Sequence, residues 1–142
     1  MTLKICIVTG SRADYGLLKL IMREISSDPD FTLQIIVTGT HLSSLYGETY
    51  KEIVDDGFKI DRKIEILNAD NSSKGIAESV GLGINGFHAA FKDLKPDLVL
   101  VLGDCFEMFA AATAAHIGLT PLAHIHGGEI TEGALDDVFR HS

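Results

Sequence analysis

The chain has 142 residues, of which 46% are hydrophobic and 23% charged, and a formal net charge of −8. This length holds one core and is too short for two ordinary domains, and the composition is that of a globular chain, far from the disordered class. The acidic balance leaves no basic face to displace counterions from phosphate backbones or anionic membranes, which excludes nucleic acid as the expected partner.

Short apolar runs alternate with longer amphipathic ones, an order that predicts a parallel sheet with helices on both faces. Leu3 to Val8 reads as the first strand and ends at Thr9-Gly10-Ser11. Leu17, Leu18, Ile21, Met22 and Ile25 then fall at helical spacing, and Pro29 lies beyond them as a stop. Leu33 to Val37 reads as the second strand, turning through Thr38-Gly39-Thr40-His41 into a helix from about Leu45 to Val54 that Gly57 closes. Lys59 to Leu67 alternates enough for a third, less buried strand, and Asn68 to Ser73 is a polar surface loop.

From Lys74 to Leu94 the apolar spacing is helical, although Gly75, Gly81, Gly83 and Gly86 each weaken the helix by roughly 1 kcal/mol relative to alanine. Such a helix needs tertiary support or close contact with something. Asp97 to Leu102 is a continuous apolar run of the kind buried on both faces, and Ala110 to Ala115 follows as a small-residue helix. Leu122 to Ile125 is a fifth strand, delivering His124-Ile-His-Gly-Gly-Glu129, and Ala134 to Arg140 begins a helix that Ser142 cuts short.

Cys6 and Cys105 make no disulfide framework in a chain of this size, so a reducing, cytoplasmic setting is expected. The N-terminus runs straight into a strand with no signal-peptide pattern, and no apolar run approaches the roughly 20 residues a bilayer span needs.

Ligands in an open α/β sheet meet side chains at the carboxyl ends of the strands. After the first strand, Thr9-Gly-Ser-Arg-Ala-Asp-Tyr-Gly16 offers backbone amides, a helix N-terminus and Arg12 to an anion, yet it matches neither a dinucleotide fingerprint nor a Walker loop. An ordinary strand-to-helix turn is an equal reading, with Asp14 as a helix cap. His41 alone reads more simply as a solvent-facing loop histidine. Asp104 divides evenly between a crevice acid of raised pKa and the cap of a helix beginning near Phe106, with Glu107 favouring the macrodipole.

His124 and His126 share a strand face and, with Glu129, make only a weak zinc pattern; no H-E-x-x-H or paired C-x-x-C accompanies them. Gly127-Gly128 lets the backbone approach a ligand. Glu132, Asp136 and Asp137 read as a solvated acidic surface, or, with Arg140 and His141, as a mixed polar pocket. No G-x-S-x-G elbow supports nucleophilic hydrolysis, and Cys105 reads as a small, partly buried residue.

Taken in order, Gly-Ser-Arg-Ala-Asp-Tyr-Gly16, Thr-Gly-Thr-His-Leu42, Tyr46-Gly47, Leu-Gly-Asp-Cys-Phe-Glu107, His-Ile-His-Gly-Gly-Glu129 and Asp-Asp-Val-Phe-Arg-His141 form a more specific signal than any one of them. Over nearly the whole chain they resemble the hydrolysing UDP-N-acetylglucosamine 2-epimerases of sialic acid biosynthesis and bacterial relatives acting on UDP-2,4-diacetamido sugars. The resemblance implies an α/β Rossmann-like parallel sheet that is the N-terminal half of a glycosyltransferase-B-type two-domain fold, residues 1–142 being that half and the UDP-binding C-terminal domain lying outside this chain. It implies a UDP-sugar substrate, no metal or nicotinamide cofactor, and a homo-oligomer at full length; the fragment alone is expected to be inactive.

It also implies abstraction of the C2 proton, loss of UDP to a 2-acetamidoglycal, and hydration to the free 2-epimeric sugar, N-acetylmannosamine in the parent case. Asp104 matches a catalytic aspartate, Asp136 a second acid with Asp137 as its alternative, and Arg12 a diphosphate contact. Where many relatives carry Gly-Asp-Arg this chain has Cys105, and where many carry a catalytic glutamate it has His126, which passes the carboxylate role to Glu129. The expected substrate contacts are Arg12, His41, His126 and Arg140. Alternatives are a non-hydrolysing epimerase, which returns the UDP sugar, and a non-catalytic nucleotide-sugar-binding module.

Overall fold

A computed structural model describes residues 2–66 and 69–125. Among them the chain runs β1 (Leu3–Thr9), α1 (Arg12–Ser27), β2 (Phe31–Thr38), two 3-10 turns (Gly39–Leu42 and Ser44–Tyr46), α2 (Tyr50–Asp55), β3 (Arg62–Ile64), α3 (Ser73–Leu94), β4 (Leu98–Leu102), α4 (Phe106–Ile117) and β5 (Leu122–Ile125). The strands pair in parallel in the order β3-β2-β1-β4-β5. This is the Rossmann-like sheet that the alternation of strands and helices predicts. The order reverses between β1 and β4, so the crevice of the fold opens at their carboxyl ends.

Side-chain alternation along each strand divides the core in two. Cys6, Val8, Ile36, Val99 and Val101 face α3 and α4, packing on Phe87, Phe91 and Ala110. Ile7, Ile35, Val37, Leu100 and Leu102 face α1, packing on Tyr15, Leu18 and Met22, with Ile53 of α2 in the same cluster. Burial on both faces is why β4 is apolar without interruption. The register Ile5–Leu98 to Ile7–Leu100 brings β1 and β4 to their carboxyl ends side by side, at Thr9 and Leu102.

Several boundaries differ from the sequence expectation for identifiable reasons. The third strand begins at Arg62 rather than Lys59, where the Asp61 carboxylate takes the place of a ladder carbonyl by accepting the Ile35 N–H at 2.8 Å, and it ends at Ile64; Leu67 lies outside the described residues. The single helix expected over Leu45–Val54 is a 3-10 turn and a separate α2, parted where Gly47 and Glu48 take left-handed backbone, φ +81° and +49°. The small-residue helix is longer than Ala110–Ala115, extending through all of α4. The helix expected from Ala134 lies outside the described residues.

Two of the glycines of α3, Gly83 and Gly86, find the close contact with neighbouring elements that such a helix needs, whereas Gly81 faces open space. A Cβ on Gly83 would sit 2.8 Å from the Ala110 Cβ, and one on Gly86 would sit 2.9 Å from Ile64 Cγ2. These contacts let α3 lie close against α4 and β3. With six residues, α2 is too short to hold itself. Its flanks are pinned instead: Tyr15 donates to Asp56 at 2.5 Å, Lys19 pairs with the same carboxylate at 3.0 Å, and the Thr49 hydroxyl is hydrogen-bonded to a ring nitrogen of His41 at 2.9 Å. Among the described residues no helix is long and apolar enough to cross a membrane.

Candidate functional site

The β1–α1 turn starts from a buried residue, Thr9, and is closed by its own side chains. Ser11, not Asp14, caps α1: its hydroxyl accepts the Asp14 N–H at 3.2 Å. Asp14 reaches back to accept the Gly10 N–H at 3.3 Å. That carboxyl is half-buried, and burial raises its pKa; hydrogen bonds from Gly10 and Ser11 oppose the rise, while the negative charge of Asp104 adds to it. Asp104 stands at the neighbouring strand end, so the order of strands brings two acids from distant parts of the sequence into electrostatic contact.

Arg12 projects from the same turn with 74% of its side chain exposed, its Nε 3.2 Å from Glu52 on α2. A guanidinium this accessible is suited to an anionic group entering the crevice. The α4 end of the site also differs from the capping reading: Cys105 occupies the N-cap position and Asp104 stands one residue before it. Asp104 is thereby placed in the turn after β4.

Glu107 lies in the first turn of α4 as expected, yet it is only 7% exposed. It approaches Gly39, where a Cβ would stand 3.2 Å from its carboxylate and 2.6 Å from the Gly10 carbonyl oxygen. Only a residue without a side chain admits both neighbours. The Cys105 thiol is pushed far up, first by burial and then by the charge of Glu107. It is a poor nucleophile under these conditions, because the thiolate is the reactive form.

His41 does not face solvent. It is fully buried, with Nε2 2.9 Å from the Thr9 hydroxyl and Nδ1 2.9 Å from the Thr49 hydroxyl. Burial lowers its pKa to about 4, so the neutral ring fastens the end of β1 to the segment leading into α2. Its place is beneath the crevice. His124 is exposed, and its Nε2 is hydrogen-bonded to the Gly103 carbonyl, tying β5 to the β4 turn. Of the expected site residues, the structure thus places Arg12 and Asp104 at the adjacent ends of β1 and β4 and His41 below them; His126, Glu129, Asp136, Asp137 and Arg140 lie outside the described residues.

Thr9, Thr49 and the burial of Glu107 are the parts that sequence reading passed over. Thr9 and Thr49 carry no motif, since they matter only as partners of a histidine 32 and 8 residues away. Glu107 reads in Asp104-Cys-Phe-Glu107 as a first-turn partner of the macrodipole, a position that by itself does not foretell its burial.

The family model for UDP-N-acetylglucosamine 2-epimerases matches residues 23–142. A GDP/UDP-N,N'-diacetylbacillosamine 2-epimerase (hydrolyzing) of Campylobacter jejuni is 48% identical over 98% of this chain and 36% of its own length. A UDP-N,N'-diacetylbacillosamine 2-epimerase (hydrolyzing) of Legionella pneumophila is 43% identical over 100% of this chain and 37% of its own. The chain therefore spans a little over a third of the length of these curated relatives. Among solved structures, the UDP-GlcNAc 2-epimerase of Neisseria meningitidis bound to UDP-GlcNAc superposes with a TM-score of 0.77 and 25% identity, over 92% of this chain and 34% of that one.

Proposed function

The chain belongs to the UDP-N-acetylglucosamine 2-epimerase family, and from that premise we propose that it supplies the N-terminal, acid-bearing half of a hydrolysing 2-epimerase acting on a UDP-linked 2-acetamido sugar. The observation that carries the reading is the placement of Asp104 and Arg12 at the adjacent ends of β4 and β1, where the fold opens its crevice. The hydrolysing relatives at 48% and 43% identity support it over the non-hydrolysing alternative.

In this reading a carboxylate removes the sugar C2 proton. The C–H electron pair becomes the C1–C2 double bond, and the C1–O bond breaks with its pair passing to the departing UDP oxygen. Arg12 stabilises the charge that gathers on the diphosphate. Water then adds across the glycal, hydroxyl to C1 and proton to the opposite face of C2, releasing the 2-epimeric sugar. Deprotonation on one face and reprotonation on the other need acids on both sides of the ring. Asp104 supplies one, and Glu129 and Asp136 are assigned the others; His126 and Arg140 are assigned to substrate contact, whereas the expected contact from His41 is replaced by a supporting role, since its ring is buried with both nitrogens engaged.

The test is UDP release by the full-length protein from UDP-N-acetylglucosamine and from a UDP-2,4-diacetamido sugar, with the free sugar analysed for inversion at C2. Asp104→Asn and Glu129→Gln should each lower kcat by at least about 100-fold with the fold intact. Release of UDP from neither substrate refutes the assignment, and return of an epimerised UDP sugar instead of free sugar establishes the non-hydrolysing reaction.

A further inference from the structure

Beside the acid-lined crevice is a second concavity that the chemistry above leaves unused. It opens between the 3-10 turns after β2 and the residues after β3, with a volume of about 300 Å³, and is walled by Leu42, Ser43, Ser44, Leu45, Glu65 and Ile66. Gly39 also borders it, the residue whose Cβ would meet the Gly10 carbonyl oxygen and the Glu107 carboxylate. This size is at the low end for small-molecule sites, roughly 300–1,000 Å³, and suits part of a sugar better than a whole nucleotide.

The wall chemistry is specific. Leu42, Leu45 and Ile66 are apolar, the two serine hydroxyls can donate, and Glu65 accepts. Ser43 Oγ accepts the Leu45 N–H at 3.2 Å, which leaves its own proton to give. An acetamido group presents the complement of all three: a methyl, a carbonyl acceptor and an N–H donor. A phosphate finds no cation among these residues and is repelled by Glu65. A purely alkyl group would leave hydroxyls and carboxylate without partners. One carboxylate is too few for a hard cation, which takes six or more oxygens.

The loop is also shaped before any ligand arrives. Leu45 and Tyr46 are 92% and 63% exposed on a three-residue turn, and Gly47 and Glu48 follow in left-handed backbone. Beneath, His41 anchors the segment at both ring nitrogens. Apolar groups held in water on a fixed loop are suited to contacting a ligand.

Position selects which acetamido group is meant. Asp104 follows β4, whereas the pocket lies at the ends of β2 and β3, at least two strand spacings or about 10 Å across the sheet. The group on C2 stays with the acids that work at C2, so a substituent reaching the pocket is attached further round the ring. The geometry points to this pocket as the subsite for a second acetamido group, the one that separates a 2,4-diacetamido sugar from a mono-acetamido sugar. The inference rests on the nucleotide-sugar reading above.

The test uses the full-length protein and its Ser44→Ala/Glu65→Ala variant. The parent should prefer the UDP-2,4-diacetamido sugar over UDP-N-acetylglucosamine in kcat/KM, and the variant should lose at least about tenfold of that preference, as expected for two hydrogen bonds. A parent that prefers the mono-acetamido substrate, a preference that does not change, or equal loss on both substrates overturns the subsite. Release of UDP from neither substrate by the parent refutes the epimerase reading, and a second measurement then decides the pocket alone. In saturation-transfer NMR with the free 2,4-diacetamido sugar, an acetyl methyl signal that weakens in the variant supports it. No signal, or one equal in both proteins, removes it.

Discussion

Acid should weaken this fold through His41 in particular. Its ring is buried and neutral, with both nitrogens engaged by Thr9 and Thr49, and its pKa falls from 6.5 to about 4. Between those values the unfolded chain binds a proton that the folded chain refuses, so the contribution is complete above pH 6.5 and is lost as pH falls toward 4. Each pH unit within that window removes about 1.4 kcal/mol, or about 2 kcal/mol in all between pH 7 and pH 5. For a chain of this length that is a fall in Tm of about 4–8 °C. His41→Asn keeps a polar side chain that does not titrate in the window. Thermal melts of parent and variant at pH 7, 6 and 5 isolate the histidine, because Asp14, whose raised pKa acts in the opposite direction, is common to both. The variant should be less stable than the parent at pH 7 and should close about 2 kcal/mol of that gap by pH 5. Parallel pH profiles would refute the linkage.

On α3, Gly83→Ala should destabilise by about 1–3 kcal/mol, because its Cβ would press on Ala110 at 2.8 Å, whereas Gly81→Ala, with open space around it, should stabilise by about 0.5–1 kcal/mol. Urea titration of the two variants measures both, and equal effects would show that helix propensity alone decides. Cys6 is fully buried, and burial pushes its thiol up as it does that of Cys105, so both should label with a maleimide far more slowly in the native protein than in denaturant. Rapid native labelling of Cys105 would contradict the packing around it. Arg12→Ala should leave Tm within about 3 °C, since an exposed ion pair is worth less than about 1 kcal/mol, while raising KM for the UDP sugar in the full-length protein; an unchanged KM would remove Arg12 from diphosphate binding.

What the sequence made legible was whatever has a period. β4 announced itself because burial on two faces leaves no polar position, and α3 because its apolar residues recur at helical spacing even across four glycines. Periodicity says nothing about where a backbone turns left-handed, so Gly47-Glu48 split a helix that composition alone joined. The short β3 was hidden for a related reason, since Asp61 replaces a ladder partner with a side chain. In the site, Arg12 and Asp104 could be read because strand ends and motif residues coincide. His41 could not: nothing local distinguishes a loop histidine in water from one locked under a crevice, and its partners belong to a different strand and a later turn. The burial of Glu107 was hidden by the same limit, because a first-turn acid is exposed or buried according to what packs opposite it, here Gly39.

The two fastenings of α2 have a consequence for how mutations in this protein will be understood. Glu52, the residue beside Arg12, rides on a helix whose position is set by Tyr15 at one flank and His41 at the other. A change at either pin therefore moves the setting of a charged group that it never touches. Surveys that score loss of substrate affinity will flag Tyr15, Thr49 and His41 alongside the acids and Arg12. Affinity data alone would then sketch a binding surface larger than the real one, with part of its apparent footprint, at Tyr15 and His41, lying on the inside of the protein.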